Sequence, residues 1–245
     1  MTVPGEAAGA LLRDAAAAPY ARLDELTPPG GLLVVVPHPD DEAIGCGTAL
    51  AAAADAGRRI GVVLMTDGEG SHAGSARFGR ERLVALRQAE LARSLAALAG
   101  GAEVPVHRLG LPDGCSTESD LTMDHLECAV AFARPLRPRA VWTTWEHDPH
   151  CDHLTAATLA RRLAERLGAV LWRFPVWGRF GEEVAHHEAE LRLFASPPHL
   201  ARKRAAIAEH RSQFTDLIDD DPGAFRMPDA LTSHFADHPE IFLRG

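Results

Sequence analysis

Five short apolar runs, separated by stretches with helical periodicity, organise this chain. The run Leu32-Leu33-Val34-Val35-Val36 is continuous rather than alternating, and it lies between Gly30-Gly31 and Pro37. That is the pattern of a strand buried on both faces. Residues 60–65, 104–109, 140–145 and 169–177 carry similar runs. Between them, 45–56 is rich in small residues and helical, ending at Gly57. Residues 80–99 form an amphipathic helix, with Leu83, Leu86, Leu91, Leu95 and Leu98 near a 3.6-residue period, closed by Gly100-Gly101. Helices are also expected over about 121–134 and 153–167. Strand–helix alternation of this kind predicts a three-layer, Rossmann-like α/β fold with a mostly parallel sheet. In strand order 3-2-1-4-5, strands one and four are neighbours and the winding reverses between them, which opens a crevice at their carboxyl ends.

The flanks read less regularly. Residues 1–28 suggest a leading helix around 7–26, closed by Pro28-Pro29-Gly30. The Gly/Ser/His stretch 67–79 reads as a mobile loop. Beyond 178, an added antiparallel strand over 188–195 and a helix over 198–212 are expected, and the Asp-, Pro- and His-rich tail from 213 is unassigned. The whole reads as a single domain, 1–245, with a core at about 31–215 and a less regular C-terminal extension.

Composition narrows the function classes. A net charge of -9 argues against a general nucleic-acid or anionic-membrane binder. No apolar run is long enough to cross a bilayer. Cys46, Cys115, Cys128 and Cys151 show no C-x-x-C spacing, so neither a disulfide framework nor a Cys-rich zinc site is indicated, and a reducing, cytoplasmic setting is expected.

The chemistry is concentrated at two predicted strand ends. Pro37-His38-Pro39-Asp40-Asp41-Glu42 follows strand one, and His147-Asp148-Pro149-His150-Cys151-Asp152-His153 follows strand four. A catalytic zinc takes three protein ligands and leaves one position open. Positions three apart in a turn converge, so His38 and Asp41 can share an ion. Asp40, between them, can point to the water as general base. His153, at the start of a helix whose dipole disfavours imidazolium, supplies the third ligand. His150 is then left to polarise a carbonyl oxygen or protonate a leaving group, and Asp152 to hydrogen-bond an imidazole, hold its tautomer and favour its charged form. Plainer readings compete. The acids suit a helix N-terminus, Asp152 suits an N-cap, and His147 and Asp148 read as solvated loop residues. Gly45-Cys46-Gly47 fits a dinucleotide fingerprint poorly and is read as close helix–sheet packing, while Cys151 is read as a packed thiol.

The two clusters together resemble the PIG-L (LmbE-like) family of zinc-dependent de-N-acetylases, which has an A-H-P-D-D-E block and a later H-x-D-H block. Supporting stretches are Leu64-Met65-Thr66-Asp67-Gly68-Glu69, Arg87-Gln88-Ala89-Glu90, Leu111-Pro112-Asp113-Gly114 and 203–213, so that the resemblance covers roughly 31–215. Pro37 stands where the family usually has Ala, which removes no ligand. The resemblance implies zinc, or Fe2+ or another divalent ion, held by His38, Asp41 and His153, with Asp40, His150 and Asp152 in catalysis. It also implies Arg87 and Asp113 as substrate contacts, although an Arg87–Glu90 pair at i,i+3 would explain Arg87 equally well. The expected activity is removal of an N-acetyl or similar group from a small-molecule amino-sugar conjugate. The alternatives are hydrolysis of another linear amide, or a non-haem Fe(II) oxygenase using the same two-His-one-carboxylate set. Trp172, Trp177, Arg179 and Phe180 either wall a sugar subsite or pack beneath the C-terminal region.

Overall fold

The computed structural model describes residues 9–181 and 190–244. The strands are β1 (Gly31–Val36), β2 (Arg59–Thr66), β3 (Val106–Leu111), β4 (Pro138–Thr144), β5 (Val170–Phe174), β6 (Glu190–Phe194) and β7 (Glu240–Arg244). They form one sheet in the order β3-β2-β1-β4-β5-β7-β6. The first five are parallel in the predicted order, and β7 pairs antiparallel with both β5 and β6. The α-helices are α1 (Ala10–Ala15), α2 (Leu23–Leu26), α3 (Asp41–Asp55), α4 (Arg80–Leu98), α5 (Met123–Ala133), α6 (Cys151–Leu167), α7 (Leu200–Glu209), α8 (Arg211–Phe214) and α9 (Asp229–Asp237).

The unbroken apolar character of β1 has a direct structural consequence. Leu32, Val34 and Val36 enter one core with α3, α4 and α7, whereas Leu33 and Val35 enter a second core with α5 and α6. Both faces are therefore covered, and each fully buried Leu or Val contributes roughly 1.5–3 kcal/mol of transfer free energy. The strand cannot slip by one residue without exchanging its partners in both cores.

Several boundaries differ from the sequence expectation. The leading helix is two short ones, α1 and α2, and residues 7 and 8 lie outside the described residues. Pro19 removes a helix donor, and the chain between them instead runs beside β6, with Ala21 N–H donating to Leu193 O and Leu193 N–H to Pro19 O. β3 starts at Val106, because Pro105 has no N–H for the ladder; its carbonyl accepts from Val62. The expected strand over 188–195 is β6, with 188 and 189 outside the described residues. The unassigned tail holds α9 and then β7, which inserts between β5 and β6.

α3 begins at Asp41 rather than Gly45 and is kinked at Cys46 (φ -141°). The kink has an identifiable cause. Glu240, on β7, accepts from the backbone N–H groups of Thr48 (2.6 Å) and Ala49 (2.9 Å). Lys203, on α7, donates to Ile44 O (3.1 Å) and to Glu240 (2.7 Å). The two halves of α3 are thus capped by side chains from the C-terminal region, and its first turn is free to aim at the β1–β4 crevice.

Candidate metal centre and active site

The adjacent carboxyl ends of β1 and β4 deliver the two clusters to one place. His38, Asp40 and Asp41 occupy the β1–α3 turn. His150 caps α6 through its side chain, which accepts from Asp152 N–H, and Asp152 and His153 lie in the first turn. Nδ1 of His38 lies 3.2 Å from one Asp41 carboxylate oxygen, and Nε2 of His153 lies 3.7 Å from the other. Ligand atoms of His38, Asp41 and His153 all fall within 4.8 Å of one another.

The second nitrogen of each imidazole is engaged by a carboxylate. His153 Nδ1 is 2.7 Å from Asp148, and His38 Nε2 is 2.8 Å from Asp152 and 3.3 Å from Asp113. Such outer carboxylates hold the proton on the far nitrogen and leave the near lone pair directed inward. The inward Nε2 of His153 is fully buried and has no hydrogen-bond partner. A buried unpartnered lone pair costs free energy unless something occupies it, and a cation bound there would relieve that cost. The charge balance agrees, since Asp41, Asp113, Asp148 and Asp152 surround the two imidazoles, while the Arg87 guanidinium is taken by Asp40 at 3.3 Å. His38, Asp41 and His153 therefore fit a divalent ion. A second grouping, His38, His150 and Asp152, also has ligand spacing. Asp152, however, is saturated by Ser116 N–H and O–H and by Gly114 N–H, at 2.7–2.8 Å.

Asp148 corrects the sequence reading. It is buried rather than solvated, and besides His153 it accepts from Val176 N–H (2.9 Å) and Gly178 N–H (2.7 Å). Only glycine fits at 178, because a Cβ there would lie 2.7 Å from Asp148. His147 is exposed, as expected. Asp152 meets an imidazole, as expected. Its imidazole partner is His38, and His150 Nδ1 is 3.9 Å away. Burial pushes the His38 pKa down, but Asp113, Asp152 and Asp41 outweigh it and raise the value, the direction expected of the imidazole that Asp152 holds; burial, reinforced by His38 and His153, lowers the His150 pKa to about 4. With Nδ1 accepting from Asp152 N–H (3.3 Å), the neutral ring carries its proton on Nε2.

Asp40 sits at φ +134°, a conformation rare outside glycine. Side chains hold it there. Glu42 accepts its N–H (3.0 Å), and Arg87 donates to Pro39 O (2.7 Å) and to the Asp40 carboxylate. Glu42 is braced in turn by Ser94 (2.6 Å) and His210 (2.9 Å). Burial raises the Asp40 pKa to about 7 against the opposing pull of Arg87. The expected Arg87–Glu90 alternative is not what forms, since Glu90 instead accepts from Ser212 N–H and O–H. The Asp113 pKa is about 2; burial pushes it up, and His38, Arg87 and Gly70 N–H outweigh that.

A cleft of about 270 Å³ opens above these groups. His38, Asp40, Asp41, Arg87, Asp113 and His150 line its floor, with Trp177, Phe225 and Met227 among its walls. Of the four aromatic-region candidates only Trp177 lines it. Trp172 is buried in the core, Arg179 is buried with its guanidinium on Pro175 O, and Phe180 packs edge-on against Phe235. Residues 67–79 are tied to the C-terminal segment by Gly74 N–H and Ser75 O–H to Asp221 and Asp220 (2.8 Å each), and by Phe225 N–H to Ser71 O (3.3 Å).

Comparison with known proteins adds an independent line. Over 158 residues the chain is 32% identical to 1D-myo-inositol 2-acetamido-2-deoxy-alpha-D-glucopyranoside deacetylase 1 of Catenulispora acidiphila, covering 55% of this chain and 48% of that protein. The chain thus spans about half the length of that relative. Among solved structures it superposes on N,N'-diacetylchitobiose deacetylase from Pyrococcus horikoshii (TM-score 0.61, 21% identity, 76% of this chain and 72% of that one). It also superposes on the A40926 pseudoaglycone deacetylase Dbv21 (TM-score 0.65, 21% identity, 88% and 96%). Likeness at that identity establishes the fold. The sequence profile described as GlcNAc-PI de-N-acetylase matches residues 33–164, more than half of the chain and a span holding both metal-site clusters, and the chain belongs to that PIG-L family.

Proposed function

We propose that this protein is a zinc-dependent hydrolase that removes an N-acetyl group from a small-molecule amino-sugar conjugate. The observation that carries the proposal is the pairing of each candidate histidine ligand with an outer carboxylate, together with ligand atoms of His38, His153 and Asp41 within 4.8 Å of one another in the cleft that Asp40 also lines. The family membership and the sugar deacetylase among its relatives support the substrate class.

His38, Asp41 and His153 would hold the ion, which when bound supplies Lewis-acid polarisation of the amide carbonyl and the attacking water. Asp40 takes the proton of that water as its oxygen adds to the carbonyl carbon. A carboxylate near pH 7 is matched to that task. The neutral His150 donates its Nε2–H to the oxygen that gains charge, so it acts as a hydrogen-bond donor and not as an imidazolium acid. Asp40 then returns its proton to the leaving nitrogen as the C–N bond breaks, giving acetate and the free amine. Arg87 and Glu42 fix Asp40, and Asp113, on the cleft floor, is the candidate contact for a sugar hydroxyl.

An Fe(II) oxygenase could use the same three ligands, but the carboxylate base at their side serves hydrolysis. The test is acetate release from N-acetylglucosaminyl conjugates by zinc-loaded protein, with oxygen consumption followed in parallel. Acetate formation abolished by a chelator and restored by zinc is the expected result. Oxygen uptake without acetate would overturn the reading.

A further inference from the structure

The cleft is chemically divided by depth. Ile44 and Met227, each 1% exposed, line its buried part, and Ile44 N–H donates to Asp40 O at 3.1 Å. Trp177 and Phe225 line the same cleft, but Phe225 is 36% exposed, which puts it at the rim. Their rings meet edge-on, with centroids 5.7 Å apart and an interplanar angle of 90°. This leaves an L-shaped apolar corner. Phe225 is not a chance exposure on a free tail. Its N–H donates to Ser71 O, and Met227 N–H donates to Gln213 O at 2.8 Å. Asp113, Gly70 and Ser71 also line the cleft and provide polar groups.

Depth orders a bound conjugate. The amide must reach the buried floor at Asp40, so the small apolar space by Ile44 and Met227 suits an acetyl methyl. The polar groups suit the sugar hydroxyls. The end of the conjugate farthest from the amide then emerges at the Trp177–Phe225 corner. An edge-to-face aromatic corner gains by burying an apolar or ring-bearing group, and a fully polar polyol gives it little. We infer that Trp177 and Phe225 form an aglycone subsite selecting conjugates whose aglycone is apolar and ring-bearing. The inference rests on the deacetylase reading above and adds a substrate preference to it.

The experiment compares kcat/KM for methyl and phenyl N-acetylglucosaminides of the same anomer, by acetate release, in the wild type, Phe225→Ala, Phe225→Leu and Trp177→Ala. The wild type should prefer the phenyl glycoside by about tenfold or more, the scale of one well-buried aromatic contact. In Phe225→Ala and Trp177→Ala the ratio should fall to near one, and Phe225→Leu should keep part of it. Reading a ratio within each variant cancels any loss of folded protein. A wild-type ratio near one, or an unchanged ratio in both alanine variants, overturns the subsite. The same holds if lengthening the N-acyl chain, rather than changing the aglycone, produces the preference that Phe225→Ala removes. If neither glycoside nor any other N-acetylated amino sugar releases acetate, the deacetylase reading itself fails, which is a separate outcome.

Discussion

Two buried charge clusters lie along α3, and they differ in ways that separate a site from a brace. At mid-helix, Glu240 and Lys203 are each 1% exposed, one carboxylate faces one ammonium, and both Glu240 oxygens are occupied by Thr48, Ala49 and Lys203. The cluster is neutral and satisfied. At the N-terminus of the same helix, carboxylates outnumber cations, and His153 Nε2 has no hydrogen-bond partner. That cluster also opens on a cleft. Buried charge alone therefore does not mark function; charge imbalance, an orphaned donor atom and an open face together do.

The largest expected effect breaks the second cluster. His153→Ala or His38→Ala should lose bound metal and turnover together, read by elemental analysis and acetate release. A variant that kept a full complement of tightly bound metal would remove that residue from the ligand set.

Asp40→Asn should keep the metal and lower turnover by about 10²–10⁴, the usual worth of a general base. Full activity, or complete metal loss, would remove Asp40 from that role. Glu240→Gln should do the converse. Leaving Lys203 buried without its partner should cost about 3–5 kcal/mol of stability, measured by denaturant unfolding. Metal affinity in the folded fraction should hardly change. A loss of metal affinity as large as in the ligand variants would erase the distinction between the clusters.

Asp148→Asn sharpens the comparison. It weakens the hold on the His153 tautomer, so metal affinity should fall about 10–100-fold in a chelator competition. Unchanged affinity would make Asp148 only a cap for Val176 and Gly178.

Much of this was legible in the sequence, for local reasons. The strand order followed from unbroken apolar runs alternating with helical periods, and the candidate ligand set sits in two contiguous blocks at neighbouring strand ends. What was not legible depends on distant partners. Asp148 looks like a loop acid until Val176, Gly178 and His153 close around it, although its place five residues before His153 is a usable signal. Asp152 meets His38 across 114 positions rather than His150 two positions away. Glu240 stands before the apolar triplet Ile241-Phe242-Leu243, which signals a strand, but that strand's slot between β5 and β6 is set by pairing that local pattern does not encode. The break at Pro19 shows the same override, where pairing with β6 replaces the helix that composition suggested.

On the proposed reading, one ion held by His38, Asp41 and His153 makes this protein an amide hydrolase of amino-sugar conjugates. The most direct test of that reading is a titration of metal-stripped protein with zinc while acetate release from an N-acetylglucosaminyl conjugate is followed. Activity should rise from background and reach its plateau at one equivalent of zinc per chain. Full acetate release by the metal-stripped protein, or no release at any zinc level while one ion is bound, would contradict it.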